Sequence, residues 1–323
     1  MKNKEKYSVG IDLGGTNIKI GIVSNDGRTI KKEKVKTYAE EGPDTVVSQI
    51  KLAVNNILKK NKKRIEGIGI GSPGIVTLKG GIVEYPPNFQ DWGEICLGKI
   101  IGDEFGLNVH VENDANVAAI GELMFGNGKK LKSFIMVTLG TGMGGGIIFN
   151  RKLFRGEYGA AGELGHMTID YKGAKCNCDS FGCIETFVGN HYMISDTKKH
   201  LTENMNSLIW NLIDKDFENL TPVIIQKAAE EGDTFASRVI NEMGFYIGCS
   251  LASVTNLLDI STFIIGGGVA GFGKPLFDAI QKTVEVRVLR PIQKRVKILP
   301  AKLKNDAGIK GASALVFYKS DDL

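Results

Sequence analysis

Apolar residues follow two spacings along the chain, and each spacing predicts one kind of element. Short apolar runs bounded by glycine, asparagine or charged residues predict strands. The predicted strands are residues 7–12, 18–23, 29–37, 65–71, 108–111, 134–139, 145–149 and 263–265. Helical spacing of apolar residues, or a Thr-Pro pair at a start, predicts helices at 44–60, at 114–125, from 221 onward and at 234–258. Strands interleaved with helices predict an α/β fold.

A strand, a glycine-rich turn and a second strand occur twice, first at 7–23 and again at 134–149. A chain of 323 residues is long enough for two domains of about 100–200 residues each. The repeat therefore predicts two related domains that face one cleft. We expect a small first domain at 1–115, completed by a C-terminal helix at about 306–323, and a larger second domain at 116–305.

Composition and charge narrow the classes of protein that the chain can represent. Apolar residues make up 42% and charged residues 24%, which is typical of a globular protein. The charged residues 1–6 and the short apolar run after them match neither a signal peptide nor a membrane span, so we expect a cytoplasmic protein without a membrane partner. The net charge of +5 is modest, and the lysines within 59–63 interrupt no aromatic pattern, so no nucleic-acid partner is expected.

Three of the five cysteines lie within eight positions of one another, near one of the four histidines. Cys176, Cys178 and Cys183 follow His166 in a polar, glycine-containing loop. Three thiolates and one imidazole are the ligands of a closed, tetrahedral structural zinc site. The few cysteines also suit a reducing compartment, where metal binding is commoner than disulfides. The alternative is a set of buried free thiols, which has no reason to collect in such a loop.

Two glutamates flank this predicted zinc loop. Glu163 precedes His166 by three residues and Glu185 follows Cys183 by two, so a metal in the loop would fix both carboxylates. Fixed carboxylates can bind the hydroxyl groups of a substrate. His166 could bind zinc through one ring nitrogen and a substrate hydroxyl through the other. The alternative for either glutamate is a solvated surface charge.

Three glycine clusters follow predicted strands and are candidates for binding phosphates. Glycine lets the backbone come close to a ligand and turn its amide groups toward an anion. The clusters are Gly14, Gly15, Thr16 and Asn17 after Asp12; Gly140, Thr141 and Gly142 in a run with five glycines in the seven positions 140–146; and Gly267 and Gly268. The first cluster alone also fits an ordinary hairpin turn. None is a Walker loop or a GxGxxG turn into a helix.

The richest of these clusters leads to a specific expectation about Gly142. Such a run of glycine costs stability unless close approach or unusual backbone angles require it, so Gly142 is expected at a positive φ. A valine there would block phosphate oxygens. It is expected to leave recognition of substrate hydroxyls by Glu163, His166 and Glu185 largely intact.

An acidic residue and two amides lie together where the strand at 108–111 meets the helix at 114–125. The sequence at this junction is Glu112-Asn113-Asp114-Ala115-Asn116. A helix N-terminus favours a carboxylate, and residues at strand ends commonly line ligand sites. Capping the helix is an alternative role for Asp114, and it is compatible with a chemical one. Capping explains a single Asx residue, but not an acid and two amides together.

In this order, these motifs resemble those of the ROK family of sugar kinases and repressors, and especially its bacterial glucokinases, within the actin–hexokinase superfamily. The resemblance covers most of the chain. It is carried by residues 12–16, 71–74, 87–88 with Trp92, 112–116, 139–146, 163–166, the cysteine loop up to Glu185, and 265–268. The chain differs from the family at Asp179, because the family's loop has glycine directly after the second cysteine.

The resemblance implies an actin/hexokinase-like, ribonuclease H-like fold of two domains with an interdomain cleft and a zinc-bound loop. It implies transfer of a phosphoryl group from ATP, with Mg²⁺, to the 6-hydroxyl of a hexose, and glucose is the expected sugar. Asp114 would act as the base. The expected sugar ligands are Asn88, Asn113, Asp114, Glu163, His166 and Glu185. The expected nucleotide ligands are Asp12, Gly14, Gly15, Thr16, Asn17, Gly140, Thr141, Gly142, Gly267 and Gly268, and zinc would be held by His166, Cys176, Cys178 and Cys183.

Other possibilities stay open at this point. The sugar could be N-acetylglucosamine, N-acetylmannosamine, mannose, fructose or allose, although Pro86-Pro87-Asn88 with Trp92 is more similar to the glucokinase branch. A sugar-sensing repressor would need a DNA-binding module before the first strand, and because six residues precede Tyr7 an enzyme is expected. Lys19 is a candidate phosphate ligand or an outward-facing strand residue. A homo-oligomer, dimer or tetramer, is also expected.

Overall fold

The structure, a computed structural model, describes residues 5–59, 61–77 and 81–318. Its strands are β1 (Tyr7–Leu13), β2 (Asn17–Ser24), β3 (Thr29–Lys36), β4 (Ile65–Ser72), β5 (Ile75–Thr77), β6 (Ile82–Glu84), β7 (Glu94–Ile95), β8 (Val109–Asn113), β9 (Phe134–Leu139), β10 (Met143–Phe149), β11 (Lys152–Phe154), β12 (Thr262–Gly266) and β13 (Lys297–Pro300). Its helices are α1 (Pro43–Lys59), α2 (Leu97–Phe105), α3 (Asp114–Phe125), α4 (Glu185–Val188), α5 (Asn190–Leu201), α6 (Ile209–Leu212), α7 (Pro222–Glu230), α8 (Thr234–Leu258), α9 (Lys274–Arg287) and α10 (Ala307–Leu315).

The first sheet has the strand order β3-β2-β1-β4-β8. β1, β2 and β3 pair antiparallel, whereas β4 runs parallel to both β1 and β8. The parallel part brings the carboxyl ends of β1, β4 and β8 to the same edge. Asp12, Ser72 and Asn113 lie at these ends, so the first glycine turn and the β8–α3 junction both start from one edge of this sheet.

Both faces of the first sheet are covered. Alternate residues of β1 and β4 point to opposite sides, and Val9 and Ile68 belong to a buried cluster with the apolar side of α1. The other face carries glycines that let α10 approach. A Cβ at Gly69 would lie 1.8 Å from the carbonyl oxygen of Ala312, so only glycine allows the helix to pack this closely.

The second sheet has the strand order β11-β10-β9-β12-β13. β11 pairs antiparallel with β10, and β13 runs parallel to β12. Taken in chain order, its strands have the same arrangement as those of the first sheet, with the third, second, first, fourth and fifth side by side. The repeat of strand, glycine turn and strand in the sequence therefore corresponds to a repeated sheet topology. A small third sheet contains β5, β6 and β7.

By its internal contacts the chain forms two compact units. One comprises Met1–Met136, Gly146–Gly162 and Ala301–Leu323, and the other comprises Val137–Gly145 and Glu163–Pro300. The domain limits expected from the sequence, 1–115 with 306–323 and 116–305, stay a prediction. No helix in the described ranges is long and apolar enough to span a membrane.

The predicted elements agree closely with those of the structure. The helix predicted at 234–258 has these bounds, and Thr221 caps α7 with Pro222 in its first turn. β10 begins two residues before the predicted strand, at Met143, so the glycine turn before it is shorter than expected. The predicted helix end at 60 and the last five residues of the predicted C-terminal helix, 319–323, lie outside the described residues. Within the described residues this helix, α10, ends at Leu315.

Candidate functional site

The four predicted zinc ligands come together in the structure. The ligand atoms of His166, Cys176, Cys178 and Cys183 all lie within 4.8 Å of one another. The Cys178 and Cys183 sulfurs are 3.7 Å apart, and Cys176 Sγ is 3.8 Å from His166 Nδ1. Ligands about 2.3 Å from a tetrahedral zinc ion are separated by about 3.8 Å, so the arrangement fits this metal.

The thiols differ in their exposure to solvent. Cys176 and Cys183 are buried and Cys178 is exposed. Burial, together with hydrogen bonds from the neighbouring thiols, raises the pKa of Cys183 to about 12. A zinc ion would reverse this, because a coordinated thiol loses its proton to the metal charge. Burial also raises the pKa of Cys176, whereas hydrogen bonds lower the pKa of Cys178. Metal binding therefore fits the donor set and would ionise the two buried thiols, Cys176 and Cys183.

His166 and Glu163 form the edge of this cluster. The Nδ1 atom of His166 faces the thiols, while its Nε2 atom lies 4.0 Å from Glu163 Oε2. Burial raises the pKa of Glu163, the nearby His166 opposes this shift, and Glu185 adds to it. The histidine thus has one nitrogen toward the thiols and one toward a carboxylate. Its predicted role, binding zinc on one side and a substrate hydroxyl on the other, stays a prediction.

Glu185 lies against the second glycine turn. Its Oε2 atom accepts a hydrogen bond from the backbone N–H of Met143 at 3.0 Å. A Cβ on Gly142 would lie 2.0 Å from the same oxygen. A side chain at 142 would therefore force the Glu185 carboxylate to move from its place beside Met143.

This contact corrects the expectation for Gly142. Its backbone is not in the left-handed region, so the predicted positive φ is wrong. The expectation that a side chain at 142 leaves all three predicted sugar ligands in place is wrong for Glu185, because Glu185 is the first group that such a side chain would meet. Gly140 differs, since a Cβ there would meet no atom within 4 Å among the described residues.

The third glycine cluster lies beside the second. β12 is the neighbour of β9 in the sheet, and Gly267 follows β12 directly. A Cβ on Gly267 would lie 2.1 Å from the carbonyl oxygen of Leu139, the last residue of β9. Gly268 and Thr141 are exposed, and Gly140 is half-buried. The structure thus brings two of the three predicted phosphate turns to one edge of the second sheet.

The first glycine turn connects β1 to β2. Gly14 N donates to Asn17 O at 3.2 Å, while Gly15 and Thr16 are exposed. Asp12 is half-buried directly opposite Lys19, and the two side chains form an ion pair of 3.1 Å. Lys19 is therefore a neighbour of Asp12 at the start of the turn, and it can contact an anion there only in competition with that carboxylate.

The β8–α3 junction separates the roles of two adjacent side chains. Asn113 is the N-cap of α3, and its Oδ1 atom accepts hydrogen bonds from the N–H groups of Ala115 and Asn116. Asp114 is the first residue of the helix and is exposed, with Oδ1 2.7 Å from the N–H of Ala115. Capping of the helix is an alternative role that the sequence suggests for Asp114, but in the structure Asn113 caps α3. The helix dipole favours an ionised carboxylate at this position.

The remaining predicted site residue, Asn88, is also exposed. Its backbone has φ 66, in the left-handed region that asparagine tolerates. Trp92 nearby is buried, packs edge-on against Phe89 and donates its Nε1 hydrogen to Val83 O at 3.1 Å. The aromatic pair anchors the turn on which Asn88 is presented to solvent.

The chain is also similar in sequence to a known protein family. The sequence model of the ROK family matches residues 8–319. The chain belongs to the ROK family. A glucokinase of Halalkalibacterium halodurans is 34% identical to this chain over 324 residues. The match covers 99% of this chain and 97% of that glucokinase. A xylose repressor of Caldicellulosiruptor bescii is 32% identical over 320 residues, 97% of this chain and 79% of the repressor.

A solved structure supports the same relationship. It is the crystal structure of a ROK family glucokinase from Streptomyces griseus in complex with glucose and AMPPNP. That protein is 34% identical in sequence to this chain, and the two structures superpose with a TM-score of 0.84. The match covers 96% of this chain and 98% of that one. The actin/hexokinase-like α/β fold expected from the sequence is confirmed.

The departure from the ROK family pattern at Asp179 has a simple structural outcome. Asp179 adopts φ 65, the left-handed conformation for which glycine is the usual residue. Its N–H donates to Cys176 O at 3.0 Å, and its carboxylate forms an ion pair with Lys175 at 2.8 Å. Aspartate tolerates this region better than most residues, so the loop keeps its turn and the four ligands stay together.

Beside the predicted site of this ROK protein, the sequence gives no indication of Arg155 and assigns no role of its own to Glu112, although Glu112 belongs to the motif at 112–116. Glu112 is buried and forms an ion pair of 2.7 Å with Arg155, which is also buried. Arg155 follows β11 and belongs to none of the motifs. A hydrophobic pattern gives no signal for such a pair, because its partners are 43 residues apart and on different elements.

Proposed function

We propose that the protein phosphorylates glucose at its 6-hydroxyl, with ATP and Mg²⁺ as co-substrates. The observation that carries this proposal is the match over nearly the whole chain to a ROK glucokinase bound to glucose and AMPPNP. The side chains present are consistent with it. Carboxylates, an imidazole and amides can bind sugar hydroxyls, and glycine turns that follow strands can bind phosphates.

The proposed sugar ligands come from two groups of residues. Asn113 and Asp114 lie at the β8–α3 junction, and Asn88 lies in the exposed turn before Trp92. His166 belongs to the cluster with the three cysteines, Glu163 lies beside it, and Glu185 follows Cys183 by two residues. A site that hydrogen-bonds several hydroxyls rejects analogues that lack them, because its polar groups would be left without partners.

In this mechanism Asp114 takes the proton of the 6-hydroxyl as that oxygen attacks the γ-phosphorus of ATP. The N–H of Ala115 donates to the Oδ1 atom of Asp114 and orients the carboxylate. Phosphoryl transfer requires mainly alignment and charge neutralisation, so a correctly placed base and bound phosphates suffice. Mg²⁺, when bound, supplies further neutralisation of the phosphate charge.

The nucleotide is proposed to bind at the three glycine turns. Gly140, Thr141, Gly142, Gly267 and Gly268 form one group at the edge of the second sheet, and Asp12, Gly14, Gly15, Thr16 and Asn17 form another at the edge of the first. Backbone amides in such turns offer donors to phosphate oxygens. Asp12, with Lys19 opposite, lies two residues before Gly14 and is the candidate to orient the metal–phosphate group.

We further propose that the His166–Cys176–Cys178–Cys183 cluster binds a structural zinc ion. Its position suits a positioning role, since His166 faces Glu163 through the nitrogen that the thiols do not approach. Metal-bound histidines commonly use the second nitrogen to hold a neighbouring group. Zinc would thereby fix His166 and Glu163, and through the loop also Glu185.

The Glu185–Gly142 contact yields a prediction about sugar binding. In Gly142→Ala the new methyl group displaces the Glu185 carboxylate, which loses its bond to Met143 N–H. We expect the KM for glucose to rise about tenfold or more, the scale of losing a charge-assisted hydrogen bond. Gly140→Ala is the matched control, since its methyl group has open space, and its glucose KM should stay within about twofold. Equal glucose KM values for the two variants would contradict this role of the glycine.

A panel of initial rates tests the choice of substrate. Glucose, mannose, fructose, allose, N-acetylglucosamine and N-acetylmannosamine are each supplied with Mg-ATP, and ADP formation is measured in a coupled assay. The proposal expects the highest kcat/KM with glucose. A higher value for another sugar would keep the reaction and replace the substrate.

The similarity to a xylose repressor supports a second candidate, a sugar-binding regulator without catalysis. Both candidates bind a sugar, and only the kinase consumes ATP in proportion to sugar. Calorimetric sugar binding, combined with the rate panel, therefore separates them.

A further inference from the structure

The ion pair between Arg155 and Glu112 is almost completely shielded from solvent. Arg155 Nε donates to Glu112 Oε2 at 2.7 Å, and the two side chains are 7% and 2% exposed. Both residues belong to the unit that contains Asp114. Arg155 lies directly after β11, whereas Glu112 lies near the end of β8. The pair thus joins a loop to the strand that leads into the β8–α3 junction.

The other oxygen of Glu112 holds the junction itself. Glu112 Oε1 accepts hydrogen bonds from the Asn113 backbone N–H at 2.9 Å and from Asn116 Nδ2 at 3.0 Å. Asn113 in turn caps α3, and its Nδ2 donates to Gly74 O at 3.1 Å. The buried carboxylate of Glu112 therefore fixes Asn113 and Asn116, which lie on either side of Asp114 in the sequence. Arg155 binds the second oxygen of the same carboxylate.

Stability alone does not account for this pair. A buried ion pair commonly stabilises a fold no better than apolar residues of the same volume, because both charges must give up water. Arg155 Nη2 and Asn116 Oδ1 are moreover buried without a hydrogen-bond partner among the described residues. A buried polar network with unsatisfied members is costly, which favours a functional reason for keeping it.

We propose that Arg155 is a positioning residue, which holds Asn113 and Asp114 in their working geometry through Glu112. The proposal rests on the proposed function, in which these two residues bind and deprotonate the sugar hydroxyl. A displacement of about 1 Å at a reacting group can reduce a rate about 100-fold. The guanidinium suits this task because its planar, permanently charged group fixes the carboxylate in direction as well as distance.

Arg155→Met and Glu112→Gln test the proposal, because each removes one partner and keeps most of the side-chain volume. Each should lower kcat about 10- to 100-fold and weaken glucose binding in calorimetry about tenfold, with the KM for ATP within about twofold. Arg155→Lys keeps the charge and should restore part of the kcat lost in Arg155→Met. The double variant should lose no more kcat than the worse single one, because both partners act through one contact.

Arg151→Met is the matched control in the same unit. Arg151 is exposed, and its Nη1 atom donates to the carbonyl oxygens of Lys129 and Leu131 at 3.0 and 3.1 Å, away from Glu112. Its kcat and glucose affinity should match those of the unmodified protein. If Arg155→Met does not fold, the Glu112→Gln/Arg155→Met double variant, which leaves no unpaired charge, takes its place in the same comparison.

The two proposals fail in different ways. A folded Arg155→Met protein, or the double variant in its place, with kcat and glucose affinity like those of Arg151→Met overturns the positioning role and leaves the kinase proposal intact. If the unmodified protein transfers no phosphoryl group, the kinase proposal fails. The positioning role is then decided by calorimetry, which must still show weaker glucose binding in Arg155→Met.

Discussion

Replacing Asp114 by Asn should reduce kcat by about 10²–10⁴-fold, the range associated with loss of a general base. The substituted amide has nearly the same size and can still accept the Ala115 N–H, but it cannot take a proton. Asn113 caps α3, so the helix start does not depend on the substituted side chain. The effect should therefore appear in steady-state kinetics as a loss of kcat, with the KM for ATP within about twofold.

Asp103→Asn is the matched control for this variant. Asp103 lies in α2 of the same unit, is exposed, and pairs with Lys99. Its kcat should be unchanged, because an exposed ion pair contributes little to stability and none to the proposed site. Melting temperatures of both variants, measured beside the kinetics, separate a chemical loss from a folding defect. Near-normal turnover in Asp114→Asn would remove Asp114 from the role of base.

Cys183→Ser should remove zinc, destabilise the loop and weaken sugar binding together. Cys183 is buried at the cluster and two residues before Glu185, while His166 links the metal to Glu163. Losing one ligand lowers the affinity of a closed zinc site steeply, and the flanking groups then lose their fixed geometry. We expect less than about half an equivalent of zinc per chain by elemental analysis, and a glucose KM raised about 10- to 100-fold.

Cys249→Ser provides the comparison for the zinc prediction. Cys249 is a partly buried free thiol in α8 that does not belong to the cluster. This variant should keep about one equivalent of zinc and an unchanged glucose KM, because Cys249 is not one of the four proposed ligands. The unmodified protein, purified without chelators, must itself contain this zinc. A metal-free protein with full glucose affinity would show that the loop holds its shape by hydrogen bonds alone.

The secondary structure could be predicted from the sequence because its signals are local. Thr221-Pro222 predicts the start of α7, and the apolar spacing along 234–258 predicts a helix with the bounds of α8. The clustering of His166 with the three cysteines could also be predicted, since three cysteines in one loop must lie near one another whatever the rest of the fold does. The repeat of strand, glycine turn and strand predicts a duplicated arrangement of strands, and the two five-stranded sheets do have the same strand order.

The contacts that shape the site could not be predicted in this way. Glu185 and Met143 are 42 residues apart, and neither their spacing nor their residue types indicates a contact. The glycine at 142 therefore suggested an unusual backbone angle, whereas the fold uses it to make room for a carboxylate. Arg155 and Glu112 are also far apart in the sequence. A single buried charge changes the periodic pattern of apolar residues too little to be recognised.

The most direct test of the proposed function is phosphorus NMR of the purified protein with Mg-ATP and glucose. The account predicts that a sugar-phosphate ester signal grows in step with ADP, that its attachment is to the 6-oxygen, and that neither signal grows without glucose. Tight glucose binding in calorimetry with no sugar phosphate formed, under the same conditions, would contradict the kinase proposal and favour the regulator.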